Sequence, residues 1–242
     1  MNEQFTVGEV LTVGFRVWGK NILSFGVITA LIYLPLIVPL VVLTQGEMTV
    51  HRLHLINQIH QASPGALVLL NIIAGAALTY GVVMELQGQR ASFGACVATG
   101  LKRFLPSLVV SLLVMLCVVL GILALVIPGM ILSCMLAVAT QASVIERPGL
   151  IGALKRSRTL TAGNRWGIFG LMMVESAIVS GTQLIVQNGL SKSLTVPAFI
   201  YLDLLRMVMA GSLTAVMSAV LYFYLRRDKE GTSAAELGQV FA

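Results

Sequence analysis

Residues 145–166 read IERPGLIGALKRSRTLTAGNRW, a basic segment between two long apolar runs. On a helical wheel, one side of this segment is apolar or small, and the other side carries positive charges and a hydroxyl group. The first side contains Leu150, Ala153, Leu154, Ser157, Leu160 and Thr161, and the second contains Lys155, Arg156 and Thr159. This pattern is typical of a helix that lies on a membrane surface.

The composition of the whole chain also indicates a membrane protein. Of its 242 residues, 57% are hydrophobic and only 11% are charged, whereas a soluble domain has about 25% charged residues. The net charge of +6 lies in the connections between apolar runs. It therefore indicates membrane topology and anionic lipid rather than nucleic acid. No stretch is long enough for a separate globular domain, so we predict a single integral membrane domain over residues 1–242.

Six apolar runs follow one another along the chain, and each is long enough to cross, or nearly cross, a hydrocarbon core as a helix. They are residues 22–43, 66–86, 105–127, 130–145, 166–186 and 197–225. Pro35 and Pro39 predict a kink in the first run, and Pro128 with Gly129 predicts a hairpin turn after the third. The sixth run, about 45 Å long as a helix, exceeds a core of about 30 Å and should tilt or project. We predict an all-α, polytopic membrane protein with six transmembrane helices.

The positive residues are distributed unequally between the connections. Thirteen of the sixteen Lys and Arg residues lie at the amino terminus, in the second and fourth connections and in the tail. Only Arg52, Lys192 and Arg206 lie on or near the opposite side. Short connections rich in Lys and Arg stay in the cytoplasm. Both termini are therefore predicted to be cytoplasmic.

A threefold internal repeat is a further prediction. Moving the amino-terminal segment by 86 or by 143 residues aligns apolar with apolar positions and keeps a small residue at the centre, where Gly14 meets Gly100 and Ser157. Each unit would contain a cytoplasmic amphipathic surface helix and a transmembrane hairpin. The units would cover residues 1–86, 87–145 and 146–227, with a cytoplasmic tail at 228–242. Chance similarity between short amphipathic helices is the alternative.

Several short segments together resemble one family of membrane proteins. They are Pro128-Gly129, Glu146-Arg147, ALKRS at 153–157, TAGNRW at 161–166, and LYFYLRR at 221–227 with Gly231 and Val240-Phe241 beyond it. This set is similar to a widespread family of bacterial six-helix membrane proteins, which includes the membrane domain attached to some glycerophosphodiester phosphodiesterases. The resemblance implies a location in the bacterial inner membrane. It transfers no catalytic residues, because the sequence contains no soluble phosphodiesterase barrel.

Residues suited to chemistry are few. His51 and His54 have the spacing of helix neighbours, but His60 falls elsewhere on a helix and no Cys or Asp joins them. A solvated helix in the first outer connection is therefore favoured over a zinc site. The three cysteines are predicted to be free thiols. The sequence shows no phosphate loop, no Ser-His-Asp set and no CxxC pair. We expect no enzymatic activity, no metal and no cofactor.

Glu175 lies about 14 Å into the fifth predicted span and so near the middle of the bilayer. A carboxylate there should face the bundle interior, and such residues often mark proton or substrate pathways. The alternative is a structural role, in which Glu175 hydrogen-bonds Ser176, Thr182 or a hydroxyl group of a neighbouring helix. Asp203 and Arg206, three residues apart near the outer end of the sixth span, are predicted to form an intrahelical ion pair.

Small residues recur every fourth position in the last two spans. The sixth span contains Gly211, Ala215 and Ala219, and the fifth contains Ala177 with Gly181 and Ser176 with Ser180. Small faces of this kind let helix backbones approach closely. Packing within the monomer is the favoured interpretation, and a homo-oligomer is the alternative.

These observations favour a membrane-embedded organising or regulatory protein without covalent chemistry. Its basic cytoplasmic face would engage anionic lipid or a partner protein through Lys102, Arg103, Lys155, Arg156, Arg158 and Arg165. The alternative is a transporter or lipid-translocating protein with a midplane site around Glu175. A polar cavity that reaches Glu175 would favour transport, and a closed core of small residues would favour the organising role.

Overall fold

The structure, a computed structural model, describes residues 6–89, 93–190 and 194–231, and all regular elements in these ranges are helices. The first five are α1 (Val7–Lys20), α2 (Ile22–Ile32), α3 (Leu34–Thr44), α4 (Val50–Leu86) and α5 (Phe93–Ala124). The others are α6 (Val126–Met135), α7 (Ala139–Ile145), α8 (Leu150–Thr161), α9 (Arg165–Leu184), a π-helical segment (Ile185–Leu190) and α10 (Val196–Glu230). The prediction of an all-helical protein is confirmed for the described residues.

Five segments are long and apolar enough to cross a membrane in this part of the chain. They are Gly65–Leu86, Phe93–Ala124, Val126–Ile145, Arg165–Gly189 and Val196–Glu230. A sixth is reached only if α1 and α2, which meet at an angle of 80°, are counted as one bent span. These lengths and compositions are those of a multi-pass membrane protein. Five of the six predicted spans have a counterpart, four of them within about five residues of the expected bounds, whereas the third begins at Phe93 rather than at residue 105.

The first predicted span is not one continuous helix. It is divided at Tyr33 into α2 and α3, each of 11 residues. Pro35 lies in the first turn of α3, where its missing N–H group costs no hydrogen bond, and both Leu36 and Ile37 donate backbone hydrogen bonds to Tyr33 O. The predicted kink is therefore present, as a full break just before Pro35.

The helix expected in the first outer connection is the start of α4, which begins at Val50, where the Thr49 hydroxyl accepts a hydrogen bond from Arg52 N. Two local predictions are wrong. The second surface helix is not a separate element but the first part of the 32-residue helix α5. The hairpin turn lies at Leu125, in extended conformation, and Pro128 and Gly129 are inside α6. Pro128 fits there because a proline is tolerated in the first turn of a helix.

The proposed repeat has a counterpart in the pattern of burial. The aligned positions Val10, Cys96 and Ala153 are 0%, 1% and 0% exposed. The central small residues, Gly14, Gly100 and Ser157, are also all buried, and each contacts a different helix. Gly14 lies against Met217 and Gly100 against Ala77, whereas Ser157 hydrogen-bonds the chain between α6 and α7. The three units differ in their helix boundaries, so the repeat itself stays a prediction.

The second half of α10 forms the centre of the bundle. From Gly211 to Leu225 all residues are buried except Thr214 and Ser218. Helices α1, α4, α7, α8 and α9 all contact α10. The stretch is apolar around its whole circumference, which is expected of a helix enclosed by others.

Of the small residues predicted to pack, those of α10 do so within the monomer and those of α9 do not. Gly211, Ala215 and Ala219 are buried, whereas Ser176, Ala177 and Ser180 on α9 are exposed. At Gly211, an added Cβ atom would lie 2.3 Å from the Tyr33 hydroxyl oxygen and 3.2 Å from Asn71 Oδ1. The fully buried Tyr33 donates a hydrogen bond of 2.7 Å to Asn71, so Gly211 leaves room for a polar contact between the α2–α3 break and α4.

Replacing Gly211 with Ala should destabilise the protein, because the new methyl group displaces the Tyr33 hydroxyl from Asn71. Overpacking of this kind costs about 1–3 kcal/mol. Gly181→Ala is the matched control, since nothing lies within 4 Å of the Cβ position at Gly181. Thermal unfolding of the detergent-purified proteins should show a lower Tm for Gly211→Ala alone. Equal Tm values for the two variants would contradict this account of the Tyr33 contact.

Candidate functional site

The basic segment at residues 145–166 contains helix α8, whose small polar residues hold the fourth span together. Between α6 and α7 that span is interrupted at residues 136–138. Ser157 Oγ donates to Met135 O (2.9 Å) and accepts from Val138 N (3.3 Å), and Thr161 Oγ1 lies 3.2 Å from Met135 O. The hydroxyl groups of α8 therefore satisfy backbone groups that the interrupted helix leaves without partners.

A network of charged side chains joins α8 to the ends of α7 and α10. Glu146 accepts a hydrogen bond from Arg156 Nε at 2.6 Å and a short one from the Tyr222 hydroxyl, and lies 3.7 Å from Arg226. Glu230 lies 2.5 Å from Arg156 and 2.9 Å from Arg226. We call these five residues the Glu146 network. Its charged side chains are between 17% and 33% exposed, so the pairs are partly screened from solvent.

Arg156 is used inside the protein rather than presented to the surroundings. Burial opposes its charge, but hydrogen bonds to Glu146 and Glu230 outweigh that effect and raise the pKa of the Arg156 guanidinium above its ordinary value. The helical wheel placed Arg156 beside Lys155 on the charged side of the helix, as a residue that would bind lipid or a partner. The structure gives it two carboxylate partners instead.

Other contacts continue the network around the same end of the bundle. Arg227 Nη2 lies 3.0 Å from Glu9 Oε1, and its guanidinium carbon is 4.5 Å from the ring centroid of Tyr224, a cation–π geometry. Asn164 Nδ2 donates to Asp228 Oδ2 at 3.0 Å. These contacts fix α1 and the start of α9 to the end of α10.

The other five predicted lipid-binding residues are left without such partners. Lys102, Lys155, Arg158 and Arg165 are exposed, and none has a hydrogen bond or ion pair with another residue that the structure describes. Arg103 is half-buried and close enough to Arg147 for the two positive charges to repel each other. Five of the six positions therefore present unneutralised positive charge.

Arg165 also lies at one end of an apolar cleft between α6 and α9. The cleft has a volume of about 440 Å³ and is lined by Ile127, Met130, Ile131, Cys134, Trp166 and Phe169 in addition to Arg165. Trp166 is 86% exposed. A positive charge and an indole ring beside a purely hydrocarbon cleft form a site of the kind that suits a lipid, with its headgroup at the charge.

Glu175 lies in a polar cavity between α9 and α10. The cavity, of about 420 Å³, contains the hydroxyl groups of Ser176, Ser180, Thr214 and Ser218. Glu175 is half-buried and hydrogen-bonds Thr214, a residue of the neighbouring helix. Thr182, which was a possible partner, donates instead to Val179 O at 2.8 Å. The cavity is open to the surroundings and also has an apolar lining from residues such as Ala137, Leu171 and Val179, so it matches neither a closed core of small residues nor a wholly polar cavity.

The remaining candidate residues are the Asp203–Arg206 pair and the histidines of the first outer connection. Asp203 and Arg206 form the predicted intrahelical ion pair, with Oδ1 and Nη2 2.8 Å apart. His51 and His54 are both exposed on α4, and His54 contacts Gln58 at 3.1 Å. Lys192 and the His60 side chain lie outside the described part of the protein. Within that part, no three His, Cys, Asp or Glu residues are grouped as a metal site would require.

Sequence reasoning did not identify the Glu146 network. Its members are far apart in the chain, with 76 positions between Glu146 and Tyr222. The available signals were a glutamate placed directly after an apolar run and the spacing of four residues between Arg226 and Glu230.

Comparison with family models, with curated proteins and with solved structures returns no match to this chain. The resemblance to the bacterial six-helix family therefore stays a prediction.

The Glu146 network should contribute measurably to stability. Glu146→Gln would leave Arg156 and Arg226 facing a neutral amide and would weaken the Tyr222 hydrogen bond. A lost charge-assisted hydrogen bond costs about 1.5–3 kcal/mol. Glu9→Gln is the control, since the Glu9–Arg227 pair is more exposed, at 35% and 31%, and exposed pairs contribute only about 0–1 kcal/mol. Urea unfolding in mild detergent should rank Glu146→Gln clearly below Glu9→Gln, and the reverse order would contradict the structural role.

Proposed function

We propose that the protein is a non-enzymatic organising or regulatory protein of the bacterial inner membrane, which engages anionic lipid through its basic face. In this proposal the chain crosses the membrane six times and has both termini in the cytoplasm. The basic face consists of Lys102, Arg103, Lys155, Arg158 and Arg165. An acidic surface on a partner protein is the other ligand that this face would suit.

The observation that carries this proposal is that the carboxylates at one end of the bundle are bonded to protein groups, whereas several exposed Lys and Arg side chains are not. The carboxylates around the end of α10 are engaged with protein groups, namely Glu9, Glu146, Asp228 and Glu230. Four exposed cations, Lys102, Lys155, Arg158 and Arg165, have no such partner among the described residues. Three of these carboxylates, Glu9, Glu146 and Glu230, are neutralised in ion pairs, and the four unpaired cations leave a net positive surface. Such surfaces are attracted to the anionic lipids of the cytoplasmic leaflet.

The apolar cleft beside Arg165 favours lipid over a protein partner. Its lining from Ile127 to Phe169 is hydrocarbon and sulfur apart from Arg165 and Trp166. An acidic protein surface would gain nothing from such a lining, whereas an acyl chain matches its apolar character.

Neutralising Lys155 and Arg158 together should weaken the retention of anionic lipid. Each basic residue near an anionic surface contributes about 1 kcal/mol, so the double change to Gln should reduce affinity about thirtyfold at modest ionic strength. The measurement is native mass spectrometry of the purified protein titrated with phosphatidylglycerol.

Arg156→Gln is the matched control, because it removes the same charge from the same helix. Since Arg156 is already paired with Glu146 and Glu230, its loss should lower stability and change lipid retention less than Lys155→Gln does. Equal phosphatidylglycerol retention by the double variant and the wild type would contradict the electrostatic proposal.

The cavity at Glu175 supports a second candidate function, transport or lipid translocation. A midplane carboxylate among hydroxyl groups can alternate between charged and neutral forms as water enters and leaves. Thr214 and Ser218 are the only positions between Gly211 and Leu225 that are not buried, and both line this cavity. The polar opening therefore lies at the one place where the packing around the second half of α10 is incomplete.

Glu175→Gln separates the two candidates. It keeps a hydrogen-bonding group for Thr214 but removes titration, so a transporter variant should fold and accumulate normally yet lose pH-dependent function. An organising protein should tolerate Gln at every pH but lose about 1–3 kcal/mol with Glu175→Leu, which leaves polar groups unpaired. The measurement is growth rescue of a deletion strain across pH, alongside protein abundance. Thr182→Val, outside the cavity, is the control, and full rescue by Gln at every pH would exclude transport through Glu175.

A further inference from the structure

A second polar cavity lies where the corner between α1 and α2 meets the ends of α4 and α5. Its volume is about 430 Å³, within the lower part of the range of small-ligand sites, about 300–1,000 Å³. One side of the cavity carries polar groups from Lys20, Asn21, Ser24 and Glu85. The other side carries aromatic rings, including that of Phe25, which is 3% exposed. The lining is therefore amphipathic.

The polar side offers one cation and one anion next to each other. Lys20 Nζ donates a short hydrogen bond to Glu85 Oε1, and their side chains are 70% and 10% exposed. Because Lys20 is so exposed, this contact belongs to the class of ion pairs that contribute about 0–1 kcal/mol. A ligand that satisfied both charges could separate the pair with little loss of stability.

Two further polar groups are available beside the pair. Ser24 is exposed, and its hydroxyl has no hydrogen-bond partner among the described residues. Asn21 Nδ2 donates to Val17 O at 3.0 Å, which leaves the amide oxygen of Asn21 as an acceptor. The cavity thus contains two donors for an anion, on Lys20 and Ser24, and two acceptors for a cation, on Glu85 and Asn21.

The position of the cavity along the spans corresponds to the level of lipid headgroups. Glu85 is the residue before the end of the span Gly65–Leu86. On the other wall, Asn21 lies at the 80° bend between α1 and α2. Ends of apolar spans lie at the boundary between hydrocarbon and headgroups.

We propose that this cavity binds the headgroup of a phosphoethanolamine lipid. The phosphate is bound by Lys20 and Ser24, the ammonium group is bound by Glu85 and Asn21, and the adjoining acyl chains contact the exposed ring of Phe93. This site shares no residue with the basic face and does not depend on the proposed function.

The paired charges select this headgroup over other lipids. A glycerol headgroup would place neutral hydroxyl groups against Glu85 in place of the ammonium, so the charge of Glu85 would have no opposite charge on the lipid. A trimethylammonium group carries the right charge but has no N–H group to donate to a carboxylate, whereas a primary ammonium has three. The aromatic wall favours a lipid over a soluble phosphoethanolamine, because only the lipid has hydrocarbon to bury there.

Lipid competition followed by native mass spectrometry tests the proposal. The full chain, purified in mild detergent, is offered equal amounts of phosphatidylethanolamine, phosphatidylcholine and phosphatidylglycerol. The wild type should retain phosphatidylethanolamine over phosphatidylcholine about tenfold, the effect of one charge-assisted hydrogen bond. Glu85→Gln should abolish this preference while lipids are still bound, and Lys20→Gln should weaken retention of all three. No preference in the wild type, or an undiminished preference in Glu85→Gln, would overturn the proposal.

Controls distinguish this site from general charge effects. Glu9→Gln removes another carboxylate in an exposed ion pair, outside the cavity, and should keep the wild-type preference. The double change of Lys155 and Arg158 to Gln should also keep it, even if retention of phosphatidylglycerol falls. Loss of the ethanolamine preference in either control would overturn the assignment to this cavity. Soluble O-phosphoethanolamine at the concentration of the lipid should not displace it, and displacement would overturn a lipid as the occupant.

Discussion

The fold depends on enclosing the second half of α10. Between Gly211 and Leu225 this helix is buried on nearly every side, and α1, α4, α7, α8 and α9 reach it from different directions. Close approach is possible because small residues such as Gly211, Ala215 and Ala219 alternate with larger ones. In a bilayer, where lipid tails are as apolar as leucine, packing of this kind and polar contacts between helices provide the association energy.

Polar contacts are concentrated where the packed helices end. Glu146 joins the end of α7 to α8 and α10, and the Arg227–Glu9 pair joins α1 to the same end of α10. These ion pairs use up local carboxylates, so the cations that remain on α8 and at the start of α9 face outward without compensation. The ion pairs that join the helix ends therefore also leave the outer surface positively charged. On α8, Arg156 contributes to these ion pairs, and the adjacent Lys155 contributes to the positive surface.

Much of the architecture could be predicted from the sequence, because apolar runs of sufficient length determine where helices can cross a bilayer. The span that contains Glu175 and the span that contains Gly211 both lie close to their predicted bounds. Interruptions were harder to place. Tyr33 ends a helix because a proline follows two residues later, whereas the turn at Leu125 precedes the Pro128 that was expected to form it. A proline is equally compatible with a turn and with a first helical turn, so its position alone does not decide between them.

The site was less predictable than the fold for a different reason. A helical wheel assigns residues to faces of one helix, but it cannot show which distant groups meet those faces. Arg156 was therefore grouped with Lys155, although carboxylates from two other segments neutralise it. The partner of Glu175 was foreseen only as a class, a hydroxyl on a neighbouring helix, and Thr214 fills that role. Pairings between remote segments depend on the register of packed helices, and that register is set by contacts such as Gly211 with Tyr33.

The connection between α5 and α6 has a consequence for biosynthesis. Only Leu125 separates the two helices, and the exposed tip formed with Val126 and Ile127 is entirely apolar. At Gly129, an added Cβ atom would lie 2.7 Å from Ile122 N, so the two backbones are in close contact immediately beyond the turn. Because the tip carries no charged or polar side chain, no hydrophilic loop has to be carried across the bilayer when these helices leave the ribosome. Two helices joined in this way are suited to enter lipid together, as one preformed hairpin.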